Sequence, residues 1–470
     1  MAVVDDLSLG LDLLDADSFL CFESFSHCRD SNTVSFFFHY CGGKRFGATL
    51  KLPPRFLADV VDDVEGVLFH IGLCVLPWYW MGYACKRIRI QAGYLDTHQV
   101  SFWHTFYQNV LSEFLFLHNL DRDRLHIEVD TTRAPCPVIS KRRLQDPHHV
   151  LVPLGGGKDS LTVFAMLQDG SIPATWFYVG DHDDEFQESW RLQAILRHSK
   201  RPCHALEFSF SANADAFEKE VAGLPYAPCG HPWAALVCFA SVLAALDGGY
   251  RYIAVGNERS ANFGNHVTYH GVVVNHQYDK SFEFEQLVHA YLTQYVVADI
   301  YYFSALQPLW EVQIVQEFCR HPAYLPLFLS CNEPDTHRWC AKCAKCAFVF
   351  LLLSAWLPPP AVWAVFGSNL LEHKSIAPIF DSLLGWHATD SLKPMECVGT
   401  SDETFLSLVL AHAAYVALDN ATLPYYLRLP HVQDAIETRA PPLYLLTDVN
   451  ADHLIPSFLH AALHVTPPSS

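Results

Sequence analysis

The sequence predicts an α/β protein whose central part is a doubly wound parallel sheet. From His148 onward, short apolar runs that are typical of buried strands alternate with helix-like segments. A glycine-rich loop follows the first of these runs, and a second polar cluster follows the fourth. Hydrophobic residues make up 51% of the 470-residue chain, which is ample for a large core in two or three domains.

The central region, residues 141–330, is predicted from its alternating strands and helices. Four apolar runs are predicted strands: Val150–Leu154, Ala174–Val179, His204–Phe208 and Tyr252–Val255. Three segments between them are predicted helices: Ser160–Gln168, Glu185–His198 and Pro232–Leu246. Ligands of such sheets bind at the carboxyl ends of the strands, where both the glycine loop and Gly256–Glu258 are expected to lie.

Two further regions flank this sheet. Residues 1–140 are predicted to form an α+β domain, and residues 331–470 a helical region with a cysteine cluster. The predicted strands of the N-terminal domain are Thr33–Tyr40, Gly47–Leu52 and Leu125–Val129. Its one predicted helix is Val100–Asn119. The polar, proline-containing segment Asp130–Pro147 is predicted to be the linker to the central region.

Composition and charge exclude several classes of protein. The net charge is −19 without a basic block, which argues against broad binding to nucleic acid or to an anionic membrane. No Lys or Arg precedes Arg29, so a secretion signal is not expected. The 15 cysteines are mostly scattered singly, which favours a reducing, cytoplasmic location. The longest apolar runs, Ala235–Leu246 and Ala347–Leu357, are too short to span a bilayer and are predicted buried helices. The oligomeric state stays open.

The glycine loop has the composition of a phosphate-binding turn. It consists of Gly155, Gly156, Gly157, Lys158, Asp159 and Ser160. The loop matches neither the Walker A spacing nor the G-x-G-x-x-G dinucleotide pattern. Glycines nevertheless let backbone N–H groups approach a polyphosphate, and the N-terminus of the following helix adds partial positive charge. A plain glycine turn is disfavoured by the Asp-Ser pair that directly follows three glycines.

The polar side chains of this loop suggest individual roles. Lys158 can supplement the positive charge, and Ser160 offers a hydroxyl to a phosphate oxygen. Asp159 would repel a phosphate unless a cation lay between them, so it implies Mg²⁺ or a hydrogen-bonded role.

The second polar cluster comprises Gly256–Asn265 and Val274–Glu285, which are dense in amides and charges. A solvated loop would also be polar, but the position after a strand of the same sheet favours a functional role. His276 and Lys280 are candidate proton-transfer groups. Asn257 is a candidate for the cofactor site. The candidate magnesium ligands are Glu258, Glu283 and Glu285.

Four cysteines in the C-terminal region have the spacing of a metal site. Cys331, Cys340, Cys343 and Cys346 form C-x8-C-x2-C-x2-C, which can close a tetrahedral Zn²⁺ site. Four thiolates leave no open coordination position, so such a metal would be structural. The alternatives are four buried free cysteines or an iron–sulfur cluster.

Gly155–Ser160 resembles the PP-loop of the ATP pyrophosphatase superfamily, whose members cleave ATP to AMP and diphosphate and usually adenylate an oxygen of their substrate. The loop departs from that pattern at Gly155, where the superfamily more often has Ser. One hydroxyl contact is thereby lost, whereas the backbone cradle remains. The resemblance implies a sheet of the PP-loop type, with ATP and Mg²⁺ as cofactors.

The cysteine spacing is similar to that of 7-cyano-7-deazaguanine synthases, but those enzymes are about half as long and lack the N-terminal module. The segments GNERSANFGN and VNHQYDKSFEFE point to another family. Together with GGGKDS, YFSALQPLWE and WCAKCAKC, they look like the ATP-dependent UDP-N-acetylmuramoyl-L-alanyl-L-glutamate epimerases of bacterial peptidoglycan synthesis. The resemblance covers nearly the whole chain, and its motifs lie between Pro153 and Val349. A further possible motif is Lys393–Thr400.

This resemblance implies an activity and a role for each site. The enzyme would convert the terminal L-glutamate of a UDP-sugar dipeptide to D-glutamate, after ATP has adenylated its carboxylate. Asn257 and Glu258 would join the glycine loop in binding the cofactor, with Asp159 positioning Mg²⁺. His276 and Lys280 would be the acid/base pair, and Lys280 would need a lowered pKa to act as a base near neutral pH. By elimination, residues 1–140 would recognise the UDP-sugar dipeptide.

Two other functions are consistent with the same motifs. The first is another PP-loop enzyme that activates a carboxylate, such as an amidating or nitrile-forming ligase, which would require ammonia. The second is a zinc-stabilised ATP-binding module without turnover, against which the intact Asp159 and Ser160 argue.

Overall fold

The computed structural model describes residues 18–465, apart from residues 44, 59, 61–63, 141–145, 181–184, 211–228, 333–337, 387–392 and 419–421. In this described part, a ten-stranded sheet lies between two layers of helices, and a two-stranded hairpin forms a separate small sheet. Each helical layer buries its own hydrophobic core against one face of the large sheet.

The large sheet runs in the order β12-β9-β6-β7-β8-β3-β2-β1-β4-β5. Its strands are β1 (Phe19–Cys28), β2 (Thr33–Tyr40), β3 (Arg45–Lys51), β4 (Arg87–Ile90), β5 (His126–Val129), β6 (Val150–Pro153), β7 (Ala174–Gly180), β8 (Cys203–Phe210), β9 (Tyr252–Glu258) and β12 (Tyr301–Leu306). The hairpin consists of β10 (Thr268–Tyr269) and β11 (Val272–Val273).

Fourteen α-helices lie among the described residues. In the first half of the chain they are α1 (Glu65–Tyr83), α2 (Thr97–Val110), α3 (Ser112–Leu117), α4 (Lys158–Asp169), α5 (Glu185–Glu188), α6 (Trp190–Ser199) and α7 (Trp233–Gly248). In the second half they are α8 (Phe282–Tyr295), α9 (Glu311–Phe318), α10 (Ala344–Ser354), α11 (Pro359–Phe366), α12 (Ala377–Leu383), α13 (Ser401–Val416) and α14 (Pro430–Thr438).

The part of the sheet from β12 to β8 is entirely parallel. The chain enters it in the middle at β6, adds β7 and β8 on one side, and then adds β9 and β12 on the other. This reversal of direction opens a crevice at the carboxyl ends of β6 and β9. The predicted α/β class with a mostly parallel sheet is therefore confirmed.

The N-terminal strands extend this sheet instead of forming their own. Strand β3 pairs antiparallel with β8, with Leu50 opposite Phe208. Strands β2 and β1 continue antiparallel, and β4 and β5 are again parallel. The N-terminal domain predicted for residues 1–140 thus shares one sheet with the central region, because β3 covers what would otherwise be the open edge of β8.

The two hydrophobic cores lie on opposite faces of the sheet. Leu151 and Ile253 belong to the first core, whereas their chain neighbours Val152 and Ala254 belong to the second, as the period of two along a strand requires. Helices α1, α2, α7 and α8 cover the first face. Helices α4, α9 and α10 and the C-terminal helices cover the second.

Most predicted elements of the central region agree with the structure to within three residues, although the segment Glu185–His198 is divided into α5 and α6. The two long apolar runs are buried helices, α7 and α10, as predicted. Helix α1 was not predicted, because it is buried on almost every side and lacks the helical period. None of the helices in the described ranges is long and apolar enough to cross a membrane.

Candidate active site

A cavity of about 760 Å³ lies at the carboxyl ends of β6, β7 and β9. Small-molecule sites usually occupy about 300–1,000 Å³. The glycine loop forms one wall, and Asn257, His276 and Lys280 form another. Ser330 and Cys397 close the cavity from the C-terminal region. The glycine loop and the second polar cluster therefore line the same cavity, at the edge of the sheet where the sequence predicts them.

The backbone of the glycine loop is held by the residues that precede the cysteine cluster. Gly156 has a φ of +70°, a conformation that favours glycine. Its carbonyl accepts a hydrogen bond from the N–H of Leu329 at 3.0 Å. A β-carbon on Gly157 would lie only 2.8 Å from Ser330 Oγ, whereas one on Gly155 would meet nothing within 4 Å. Only the first position of the loop has room for a side chain.

Lys158 does not reach the cavity, contrary to the prediction that it neutralises a bound phosphate. Its side chain is fully buried at the start of α4, and its Nζ forms ion pairs with Asp159 Oδ1 and Glu311 Oε2. Burial lowers the pKa of Lys158, but the charges of Asp159 and Glu311 outweigh this effect and raise it above its usual value. The ammonium group is therefore a permanent internal charge that holds α4 to α9.

Asp159 and Ser160 do line the cavity. Burial raises the pKa of Asp159, but the positive charges of Lys158 and Lys345 outweigh burial and lower it below its usual value. Asp159 is therefore an ionised carboxylate that can bind a cation. Ser160 Oγ donates a hydrogen bond of 3.3 Å to the carbonyl of Gly157, which keeps the hydroxyl at the mouth of the loop.

The other predicted magnesium ligands lie in different surroundings. Glu258 is buried at the end of β9. Glu283 is exposed and accepts a hydrogen bond of 3.2 Å from the hydroxyl of Tyr278. Glu285 is buried on α8, where one oxygen accepts the N–H of Ser304 at 2.9 Å and burial raises its pKa to about 8. None of the three carboxylates lines the cavity, so the structure does not bring these predicted magnesium ligands to the glycine loop.

The amides of the second polar cluster hold the C-terminal segment Lys393–Thr400 against the sheet. Asn265 Oδ1 accepts the backbone N–H of His276 at 2.8 Å, and Asn265 Nδ2 donates to the carbonyl of Pro394 at 2.9 Å. Gln277 Nε2 donates to the carbonyl of Val398 at 3.3 Å. These contacts fix Cys397, which lies between the two anchored residues, beside His276 and Lys280.

Four side chains from distant parts of the chain form one ionisable group at the cavity wall. Lys280 Nζ lies 3.3 Å from Cys397 Sγ. The side chain of His276 hydrogen-bonds that of Cys397, and its Nδ1 lies 2.5 Å from Glu113 Oε2. Lys345 Nζ donates to the carbonyl of Cys397. We call Glu113, His276, Lys280 and Cys397 the thiol cluster.

Electrostatics in the thiol cluster favours charged forms. Burial lowers the pKa of His276, but hydrogen bonds to Cys397 and Glu113 outweigh it and raise the pKa to about 10. Burial lowers the pKa of Lys280 as well, and the charges of Cys397 and Glu258 raise it above its usual value. Lys280 therefore lacks the lowered pKa that a base requires, and His276 is an imidazolium at neutral pH. Both groups therefore carry a proton at neutral pH, which suits the acid part of the predicted acid/base pair better than the base part.

The four cysteines of the predicted metal site converge. Their Sγ atoms all lie within 4.8 Å of one another. Cys346 Sγ is 3.6 Å from Cys331 Sγ and 3.7 Å from Cys340 Sγ. A tetrahedral ion with metal–sulfur bonds of about 2.3 Å requires sulfurs about 3.8 Å apart, which these distances match. The cluster can hold a metal ion.

The metal cluster and the cavity share helix α10. Cys343 is the N-cap of α10, and Lys345 in its first turn lines the cavity. Glu396, the residue before Cys397, accepts the backbone N–H groups of Ala344 and Lys345 at 3.2 and 2.9 Å. A metal ion bound there would hold both Lys345 and the Cys397 segment in place.

The cavity suits an anionic ligand. Four cationic side chains face it, namely Arg191, His276, Lys280 and Lys345. The twelve-residue helix α4 begins at the glycine loop, so its N-terminal backbone dipoles point to the same space. Gly155 leaves open room beside the loop backbone. These features fit a polyphosphate, with Asp159 available for its metal counter-ion.

Sequence reasoning missed several residues of this site. Glu113 lies in the N-terminal part, where no motif was recognised, and only folding brings it to His276. Glu311 and Ser330 act on the loop from more than 150 residues away. Cys397 lay in the motif Lys393–Thr400, to which no role was attached. Its signal was a single cysteine, outside the metal spacing, within a polar motif.

Two family models match this chain. A model described as the MurL N-terminal domain matches residues 14–305, and one described as the MurL C-terminal domain matches residues 327–428. The first match passes through position 140 without a break, in agreement with the continuous sheet.

Three curated relatives, each named UDP-N-acetyl-alpha-D-muramoyl-L-alanyl-L-glutamate epimerase, are similar over most of their length. The protein of Xanthomonas oryzae pv. oryzae is 29% identical over 389 residues, which are 81% of this chain and 82% of the relative. That of Salinispora tropica is 31% identical over 82% of this chain and 83% of its own. That of a Micromonospora species is 29% identical over 77% and 78%, respectively.

Proposed function

Because the chain belongs to the family of UDP-N-acetyl-alpha-D-muramoyl-L-alanyl-L-glutamate epimerases, which are isomerases, we propose that it inverts the terminal L-glutamate of UDP-N-acetylmuramoyl-L-alanyl-L-glutamate. The product, with D-glutamate, is a precursor of peptidoglycan. The family supports the epimerase activity in precursor synthesis, and the geometry of the cavity carries the finer proposal. That proposal is an ATP-dependent reaction through an adenylated carboxylate.

The chemistry explains why an epimerase would need ATP. The α-proton of glutamate is very weakly acidic, because the neighbouring carboxylate already carries a negative charge. Conversion to an acyl-adenylate removes that charge and leaves an ester-like carbonyl. The α-proton can then be removed, and reprotonation of the opposite face followed by hydrolysis yields the D-centre, AMP and diphosphate.

The observation that carries this proposal is that the glycine loop and three members of the thiol cluster, His276, Lys280 and Cys397, line one cavity. In our proposal the backbone of Gly155–Gly157 and the hydroxyl of Ser160 bind the polyphosphate, as in the PP-loop that they resemble. Asp159 helps to hold Mg²⁺, which when bound would offset the negative charge of the phosphates. Asn257, near the end of the neighbouring strand β9, also lines the cavity and would contact the nucleotide.

The geometry changes our assignment of the cationic side chains that would contact the phosphates. Lys158 is paired with Asp159 and Glu311 and supports the loop from beneath. Lys345 and Arg191, which face the cavity, are better suited to contact the phosphates. Glu258, which is buried at the end of β9, adds negative charge near Lys158 and Lys280.

We further propose that the metal of the four-cysteine cluster is a structural Zn²⁺. The sulfurs surround a space that suits a single ion, whereas an iron–sulfur cluster would have to fit several irons between them. Recognition of the UDP-sugar by residues 1–140 also stays a proposal. Among the described residues, those that line this cavity all lie between Pro153 and Cys397.

The test uses purified protein, ATP, Mg²⁺ and UDP-N-acetylmuramoyl-L-alanyl-L-glutamate. AMP release is assayed, and the chirality of glutamate is measured after acid hydrolysis, with a control that lacks ATP. We expect D-glutamate and AMP only when ATP is present. AMP without D-glutamate, increased by ammonia, would contradict the epimerase and favour a ligase. Absence of both products would leave an ATP-binding module without turnover.

A further inference from the structure

The thiol cluster contains a cysteine whose surroundings differ from those of the other buried cysteines. Burial in apolar surroundings raises the pKa of Cys203 and Cys238 above the usual value. Burial also raises the pKa of Cys397, but Lys280 and His276 outweigh burial and lower it to about 6. Three cations surround Cys397, because Lys345 adds its charge from α10. Its thiol therefore ionises near neutral pH, whereas those of Cys203 and Cys238 stay protonated.

The geometry of the cluster resembles that of an activated cysteine. His276 stands between the thiol of Cys397 and the carboxylate of Glu113, with Nδ1 2.5 Å from Glu113 Oε2. The carboxylate orients the ring and stabilises its positive charge, and the ring in turn stabilises the thiolate. Lys280, 3.3 Å from the sulfur, does the same from a second direction.

Three members of the thiol cluster line the cavity, namely His276, Lys280 and Cys397, and only one of these three can accept a proton. His276 and Lys280 are held as cations and have no free lone pair at neutral pH. The thiolate of Cys397 has one, and it lines the cavity that contains the glycine loop. We propose that Cys397 is the base that removes the α-proton of the terminal glutamyl residue in this enzyme. This inference rests on the proposed epimerase function.

In the proposed step, a lone pair on Cys397 Sγ forms the S–H bond as the Cα–H bond of the adenylated glutamyl residue breaks. The electron pair of that bond moves into the carbonyl, which becomes an enolate, and the cations of Lys280 and His276 stabilise its negative charge. A proton from water reaches the opposite face of Cα, and the thiol later loses its proton to solvent. No oxidant or reductant is required.

The experiment separates adenylation from proton removal. Exchange of labelled diphosphate into ATP, dependent on the UDP-sugar dipeptide, reports adenylation. Incorporation of deuterium at Cα of glutamate in D₂O reports proton removal. We expect Cys397→Ala to keep diphosphate exchange near the wild-type rate. Its deuterium incorporation and D-glutamate formation should fall by about 100-fold or more, as is typical for loss of a general base.

Two outcomes would overturn the inference in distinguishable ways. If Cys397→Ala incorporated deuterium at the wild-type rate, Cys397 would not be the base, although the proposed function would stand. If the wild-type enzyme supported neither exchange, the proposed function would fail and the inference with it. Cys397→Ser, which keeps nearly the same volume, checks that the loss does not come from a cavity. Cys319→Ser, at the C-terminus of α9 and away from the cavity, is the matched control.

A second measurement distinguishes a base from a nucleophile. A nucleophilic Cys397 would form a thioester with the glutamyl carbonyl, and the intact mass of protein quenched during turnover would rise by the mass of the bound substrate. We expect no such adduct, and its detection on Cys397 would overturn the role of base. Alkylation by iodoacetamide should modify Cys397 with a midpoint near pH 6 and should be slowed by the UDP-sugar dipeptide. A midpoint close to the ordinary thiol value would also contradict the inference.

Discussion

Ser330 Oγ lies 3.3 Å from the backbone N–H of Lys158 and accepts its hydrogen bond. Ser330 directly precedes Cys331, the first cysteine of the metal cluster. The residue before it, Leu329, donates to the carbonyl of Gly156. The segment that leads into the four-cysteine cluster therefore also supports the glycine loop, so the cysteine cluster and the loop are mechanically connected.

This connection predicts that loss of the metal weakens ATP binding. Cys343→Ser should lower the metal content, which we expect to be one ion per chain, because three thiolates no longer close the tetrahedron. Leu329 and Ser330 should then hold the loop less firmly. We expect the KM for ATP in diphosphate exchange to rise about tenfold, which corresponds to about 1.4 kcal/mol of binding. Metal analysis and exchange kinetics measure both effects. An unchanged KM in the metal-depleted variant would show that the two sites are independent.

The three loop glycines should differ in their tolerance of a side chain. Gly157→Ala would place a β-carbon 2.8 Å from Ser330 Oγ. We expect it to cost about 1–3 kcal/mol in free energy of unfolding, as overpacking usually does, and to weaken ATP binding. Gly155→Ser should cost little, because a β-carbon there meets nothing within 4 Å, and it restores the hydroxyl found in the related PP-loops. Urea unfolding and the KM for ATP test the pair. Equal losses in both variants would refute the predicted difference.

Lys158 should matter for stability more than for catalysis. Lys158→Met would leave the carboxylates of Asp159 and Glu311 buried together without their cation. The loss of one partner from a buried ion pair typically costs about 3–5 kcal/mol. Burial already raises the pKa of Glu311 to about 7, so part of this loss should be relieved by its protonation at low pH. Urea unfolding at pH 6 and pH 8 would test this prediction. Lys345→Met, which removes a cation that faces the cavity, should instead raise the KM for ATP with a smaller loss of stability.

The thiol cluster predicts a bell-shaped pH profile for epimerisation. The pKa of Cys397 is lowered to about 6, so its thiolate is present above that pH and is lost as pH falls through it. The pKa of His276 is raised to about 10, so its positive charge is present below that pH and is lost as pH rises through it. Because the two groups interact, the limits belong to the pair. The pKa of Lys280, which lies 3.3 Å from the same sulfur, is raised above its usual value by the charges of Cys397 and Glu258, so Lys280 stays charged across the profile.

Substitution of Glu113 should move one limb of this profile. Glu113→Gln removes the charge that stabilises the imidazolium of His276, so the alkaline limb should shift to lower pH. The rate should fall about tenfold, the size expected for loss of one charge-assisted hydrogen bond of about 1.5 kcal/mol. Measurement of kcat/KM for D-glutamate formation across both limits tests this, with diphosphate exchange as the control. A uniform loss of activity without any shift would indicate a structural role alone.

Much of the central sheet could be predicted because its information is local. The apolar runs at β6, β7, β8 and β9 and the glycines before α4 are readable from neighbouring residues. The spacing of Cys331 to Cys346 likewise lies within one short segment, and its sulfurs converge as expected.

The pairing of strands and of side chains could not be predicted in the same way. The sequence of β3 does not indicate that this strand pairs with β8. The alternation of apolar and polar residues shows which face of a strand is buried, but not which strand lies beside it. The position of Lys158 in the glycine loop suggested a phosphate ligand. The sequence does not show in which direction such a long side chain points. Its pairing with Glu311 arises only when α4 packs on α9.

Local spacing was thus sufficient to predict the position of the glycine loop, the convergence of the four cysteines and the family. The thiol cluster depended on folding. Glu113 and His276 are 163 residues apart in the chain, and Lys280 and Cys397 are 117 apart, yet each pair is in contact. A shift in pKa depends on burial and on nearby charges from several elements, so the ionised thiol of Cys397 exists only in the assembled structure.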